Sequence, residues 1–201
     1  YPEVGIVQFW IGRDDLMGLE DDYKVVYFEN IDNTITREEV LTKYTPLDPE
    51  DYDQYSPFNP SNAEFGLTFE KGVSSITTED YRFEDIVINA IHELYPDEEV
   101  SNLYCDLDDE VYEYFYDSLR GLSHAIGGYP NFTQWDPRGY NSEAGEQSPY
   151  DIMLLQVETD WSKGRDVEIM WGDSGVGNFF ISEENLKNLN FDDVLYNWDC
   201  C

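Results

Sequence analysis

Positive charge is scarce in this chain: 11 Lys and Arg residues stand against 44 Asp and Glu, a formal net charge of −33 at pH 7. So acidic a surface repels phosphate backbones and anionic lipid headgroups, which argues against nucleic-acid binding and membrane docking. Cysteine is nearly absent too. Cys105, Cys200 and Cys201 make an odd set with two adjacent at the end, which is neither a disulfide framework nor a CxxC zinc pattern, and a reducing cytoplasm is the expected compartment. No apolar run approaches the ~18 residues that a helical membrane span needs, and no signal-peptide pattern opens the chain. GxGxxG, GxxxxGK[ST] and HExxH are also missing, which removes the familiar nucleotide and zinc enzymes and leaves no cofactor implied.

What is present is enough to build a core. The chain has 201 residues, 41% apolar and 16% aromatic, so a single domain spanning 1–201 is expected. Its acids are interleaved with Tyr, Phe, Val and Ile along the whole length, unlike an acidic disordered tail. A well-solvated surface is the plainer account of the charge, and a decoy for a basic partner protein is the sharper one.

Strand-like runs occur at Val4 to Ile11, Lys24 to Glu29, Phe65 to Glu70, Asp151 to Glu158, Val167 to Trp171, Val176 to Ile181 and Val194 to Trp198, where β-branched and aromatic residues dominate between polar breaks. Thr36-Arg37-Glu38-Glu39 has capping-box spacing ahead of a short helix. Val87, Ala90, Ile91 and Leu94 recur at helical spacing, and Leu107, Val111, Phe115 and Leu119 form a second stripe opposite Asp109, Glu110, Glu113 and Asp117. Ser182 caps a further short helix, and Ser162-Lys163-Gly164 reads as a turn within a meander of the last strands. The expected class is therefore α+β, mainly antiparallel and roll-like, with two to four helices packed around the sheet.

The two ends of the chain share a pattern. GIVQFWIGRDDLMGLEDDYKVVYF from Gly5 and GVGNFFISEENLKNLNFDDVLYNW from Gly175 each run from a glycine through an aromatic strand ending in Ile, a polar turn with two acids and Leu, an Asp pair and a second strand. Shared order across these features points to a duplicated β unit. In the second copy a strand, DIMLLQVE, precedes the unit. An equivalent strand is expected ahead of the first copy, so a chain opening YPEVGIVQFWIG is expected to lack an N-terminal piece.

GGYPNFTQWDPR (Gly127 to Arg138), LLQVETD (Leu154 to Asp160), WGDSGVGNFFI (Trp171 to Ile181) and VLYNWDC (Val194 to Cys200), with GIVQFWIGRDD and YRFED elsewhere, together resemble the YwqG-like family, a bacterial domain of unknown function. The resemblance covers essentially the whole chain. It implies an antiparallel β fold with helices around it, a cytoplasmic bacterial origin and an N-terminal portion missing here. It brings no established reaction.

Gly172-Asp173-Ser174-Gly175 has the form of the nucleophile segment of trypsin-like proteases, but that chemistry needs a histidine base held by a carboxylate. His92 lies in an expected helix and His124, in LSHAIGG, lacks that context. A tight turn is the preferred reading. His124, Gln134, Asp136 and Arg138 bracket Gly127 and Gly128 and, with Trp171 and Asp173, make the candidate ligand-binding set; the competing account is that Asp136 and Arg138 simply pair. Asp106 to Glu110 has the acid density of a calcium loop but carries Val111 where the EF-hand glycine belongs, so no metal is assigned. A non-catalytic interaction or ligand-binding domain is the leading expectation. The alternatives are an acidic, immunity-like inhibitor of a basic toxin or nuclease, and a hydrolase using Ser174 or the His124 to Arg138 loop.

Overall fold

A computed structural model describes residues 1–119, 121–140, 148–161 and 168–201. Its strands are β1 (Ile6–Ile11), β2 (Tyr23–Phe28), β3 (Phe58–Asn59), β4 (His124–Ala125), β5 (Ile152–Glu158), β6 (Glu168–Ile169), β7 (Val176–Ile181) and β8 (Val194–Asp199). The helices are α1 (Arg37–Lys43), α2 (Phe83–Leu94), α3 (Leu103–Asp106), α4 (Asp109–Ser118), α5 (Pro137–Tyr140) and α6 (Glu183–Lys187). All strand pairs are antiparallel, which makes the chain an α+β protein. The helices number six among the described residues, two more than the upper expectation, because α3 and α5 are single turns too short to carry a periodic signal.

The central sheet has the order β4-β5-β7-β8. Side chains alternate across it, so partners in register sort into two faces. Leu155, Phe179 and Tyr196 are cross-strand neighbours on one face, and Met153, Phe180 and Leu195 on the other. A register shift between Met153 and Leu155 inserts Leu154 as an extra residue, so Leu154 and Leu155 both join the first face. Phe180 and Ile181 are fully buried, and each such side chain contributes about 1.5–3 kcal/mol through loss of apolar surface from water.

The β1–β2 hairpin covers the first face. Phe9 meets Phe179 with ring centroids 5.1 Å apart, Tyr23 meets Tyr196 at 5.2 Å and Tyr27 meets Phe191 at 5.6 Å. Phe9 pairs with Val25 and Phe179 with Tyr196, so the connection in the second hairpin is one residue longer. That residue accompanies α6, whose N-cap Ser182 accepts from Asn185 N–H. In the first hairpin the Asp14 carboxylate accepts instead from the N–H groups of Leu16 and Gly18.

Local signals held at several helices. Thr36 closes a reciprocal capping box with Glu39 at the start of α1. Helices α2 to α4 enclose a second cluster around Phe83, Val100 and Leu103. Val87, Ile91, Leu107, Phe115 and Leu119 pack against it, as the spacing predicts, whereas Val111 and Leu94 are exposed and Ile88 turns inward. A single helical stripe is wider than one row, and the neighbours decide which edge of it is covered.

Two expectations are corrected. Phe65 to Glu70 forms no strand: among the described residues no backbone hydrogen bond reaches it, and Leu67 and Phe69 stand 75% and 73% exposed. Strand propensity expresses fit to a paired surface, and no paired neighbour is supplied. The last strands also do not form a simple meander. β5 pairs directly with β7, while β6 pairs with β3 and meets Asp160 through one isolated bridge. The expected turn at Ser162-Lys163-Gly164, and Val167, lie outside the described residues.

Candidate functional site

Residues 129–138 cross the second face of the central sheet without joining it, so their backbone groups need other partners. Polar side chains from the strands supply them. Gln156 on β5, fully buried, accepts from Asn131 N–H at 2.7 Å and donates to Leu122 and Ser123 carbonyls. Asn178 on β7 donates to Asn131 C=O at 3.0 Å, and Asp199 on β8 accepts from Thr133 and Gln134 N–H at 3.1 and 2.9 Å. Burial raises the Asp199 carboxyl pKa, and the N–H groups of Gln134 and Thr133 only partly offset that.

A buried ion network closes the far end of this segment. Arg138 Nε donates to Asp136 Oδ1 at 2.9 Å, and Nη2 reaches Asp136 Oδ2 at 2.6 Å and Asp80 Oδ2 at 2.9 Å. Asp80 also takes two bonds from Arg82, and Asp136 accepts Tyr81 N–H at 3.1 Å. The Arg138 guanidinium lies 4.6 Å from the Phe180 ring centroid, so carboxylates and an aromatic face share the cation, while its buried Nη1 has no hydrogen-bond partner among the described residues. Burial pushes the Asp80 carboxyl up, but the Arg82 hydrogen bonds and the Arg138 charge outweigh it and hold the pKa below the ordinary value.

The opposite side of the sheet opens into a cleft of about 1020 Å³. Phe9 of β1, Leu155 and Val157 of β5, His124 of β4 and Ile169 of β6 line it, and residues 65–70 and 72–74 form its outer wall. Phe58 and Phe65 meet at its end with centroids 5.4 Å apart. His124 Nδ1 accepts Glu158 N–H at 3.2 Å, which leaves the proton of the neutral ring on Nε2, 3.9 Å from Asp160 Oδ2. A concave site of this size, apolar with a few polar groups, suits an organic ligand or a peptide segment.

The six sequence-derived candidates therefore part company. His124 lines the cleft. Asp136 and Arg138 are buried in the ion network, paired with each other. Gln134 is exposed and donates to Cys200 C=O at 2.6 Å. Trp171 is buried beside Trp198, with centroids 6.1 Å apart. Asp173 is exposed in a tight turn closed by Gly175 N–H to Trp171 C=O at 2.7 Å, and Gly172 takes a positive φ of 58° there. Sequence reasoning missed Asp80, Gln156, Asn178 and Asp199. The signal for two of them was an amide inside an otherwise apolar strand, DIMLLQVE and VGNFFI.

A family model described as a domain of unknown function, DUF1963, matches residues 1–200, and the chain belongs to that family. No curated protein matches the chain. None of the helices, among the described residues, is long and apolar enough to cross a membrane.

Proposed function

We propose that this protein is a non-catalytic binding domain, a single cytoplasmic unit of the YwqG-like type with a duplicated β hairpin, and that its binding site is the cleft beside β1. The observation that carries the reading is the cleft itself, about 1020 Å³, in which Phe, Leu, Val and Ile side chains stand beside glycines and a few polar groups, His124 and Asp160 among them. Support for catalysis is weaker. Among the described residues no hydrogen bond joins Ser174 to His92 or His124, so a nucleophile and its base are not assembled.

Titration with Nile red, a neutral apolar dye, tests the reading. The expected result is saturable, blue-shifted emission that drops about tenfold in affinity when Val157→Trp fills the cleft. A dye signal indifferent to Val157→Trp, or no binding by the folded wild type, sinks it.

A second reading, an acidic inhibitor of a basic protein, is favoured by the net charge of −33. Opposite charge accelerates encounter and makes it salt-sensitive. Capture of a basic partner whose association rate falls steeply between low and physiological salt would support it, and association indifferent to salt would count against it.

A further inference from the structure

β4 is the shortest part of the cleft wall, two residues that pair His124 with Val157 and Ala125 with Gln156 of β5. The backbone ladder stops there. One residue further along β5, the side chain of His124 takes over, and Nδ1 accepts Glu158 N–H at 3.2 Å. A ring nitrogen that accepts carries no proton, so this bond exists only while the imidazole is neutral. Protonation turns Nδ1 into a donor and sets N–H against N–H. The ring must then leave the Glu158 amide.

A destination for the charged ring is already in place. Asp160 Oδ2 lies 3.9 Å from Nε2, too far for a hydrogen bond to the neutral ring but close enough to attract an imidazolium. Glu158 on β5 and Glu70 in the outer wall add negative charge, Tyr129 is the other titratable group of the lining, and no Lys or Arg lines the cleft among the described residues. The His124 side chain is 42% exposed, so a proton reaches it without any opening of the sheet. The neighbouring anchors carry no ionisable group: Gly127 N–H donates to Met153 C=O at 3.1 Å, and the Gln156 amide donates to the Leu122 and Ser123 carbonyls. A change at His124 is therefore local.

We infer that His124 is a pH-operated latch on the cleft: neutral, it fastens β4 to the end of β5; protonated, it releases Glu158 N–H, turns toward Asp160 and loosens the wall formed with Ala125 and Ile126. The inference rests on the cleft being the binding site and adds how its occupancy responds to pH. Histidine is the side chain that changes charge between about pH 5 and pH 8. At the lower pH a neutral apolar ligand meets a looser wall and a cation beside it, and both weaken its hold.

The test compares the intact, isotope-labelled chain at about pH 7.5 and about pH 5.5. A hydrogen bond between two nitrogens transmits a scalar coupling, so NMR should show one between the Glu158 amide nitrogen and His124 Nδ1 at the higher pH and none at the lower. Amide protection at Glu158 should fall about tenfold while that at Gly127 holds, and Nile red should bind about fivefold more weakly. His124→Asn keeps a side-chain acceptor on the same stem and does not titrate, so protection and dye affinity should stay level across pH. His92→Asn, in α2, should behave as the wild type does. Absence of the coupling at both pH values, or a pH dependence that survives His124→Asn, overturns the latch. Dye affinity that is equal at both pH values while Glu158 is released overturns the regulation and leaves the cleft reading standing. If the dye binds at neither pH, the cleft reading fails first and the inference with it.

Discussion

Arg138 donates to Asp80 at 2.9 Å across 58 residues of chain, and both side chains are fully buried. This bond ties the start of α2 to the segment that crosses the sheet. A buried ion pair contributes little over well-packed apolar residues, but removing one partner strands the other charge in a low-dielectric interior. Arg138→Met should therefore cost about 3–5 kcal/mol, read from urea unfolding. Arg138→Lys should recover only part of it, because an ammonium cannot satisfy Asp136 bidentately while reaching Asp80.

The same network sets a pH dependence. The folded Asp80 pKa is depressed, so its contribution is complete above the ordinary aspartate value of about 3.9 and is lost as pH falls through the folded value. Wild type minus Asp80→Asn should give a constant stability difference at pH 5 to 7 that narrows below about pH 4. A difference that instead widened toward low pH would contradict the assigned direction.

Gln156 is worth more than its place in a strand implies. Gln156→Met keeps the volume but leaves Asn131 N–H and the Leu122 carbonyl without this partner, a loss of about 2–3 kcal/mol. Amide exchange at Asn131 should accelerate more than exchange at Phe179, since the segment loosens before the sheet does.

Gly175 sits where two backbones converge. A Cβ there would run into Asp199 C=O, and would lie 2.8 Å from Trp171 C=O. Neither oxygen can swing away as a side-chain tip would, so Gly175→Ala should destabilise by about 2–4 kcal/mol. Gly66→Ala, where a Cβ meets nothing within 4 Å, serves as the control and should shift the melting temperature little.

Elements carried by short-range chemistry were legible. The Thr36 capping box, the Ser182 cap and the runs that became β1, β2, β5, β7 and β8 are encoded in residues a few positions apart, where periodicity and hydrogen-bond geometry act directly. The pairing of Asp136 with Arg138 was legible as the competing account of those two residues, because they are only two positions apart. Two-residue strands such as β3 and β4 were not, since their pairing exists only once a distant strand arrives.

The amino-acid sequence alone settled the class of the fold, the position of most of its strands, the net negative charge and a likeness to a domain family of unknown function, all consequences of local spacing and composition. Tertiary structure alone decided that Asp80 completes the Arg138 network, that Gln156, Asn178 and Asp199 hold an irregular segment, and that His124 faces a cleft while Arg138 does not. The reason is physical: a buried polar group is defined by the partner that compensates its lost water, and that partner is chosen by the packing of strands far apart in the chain.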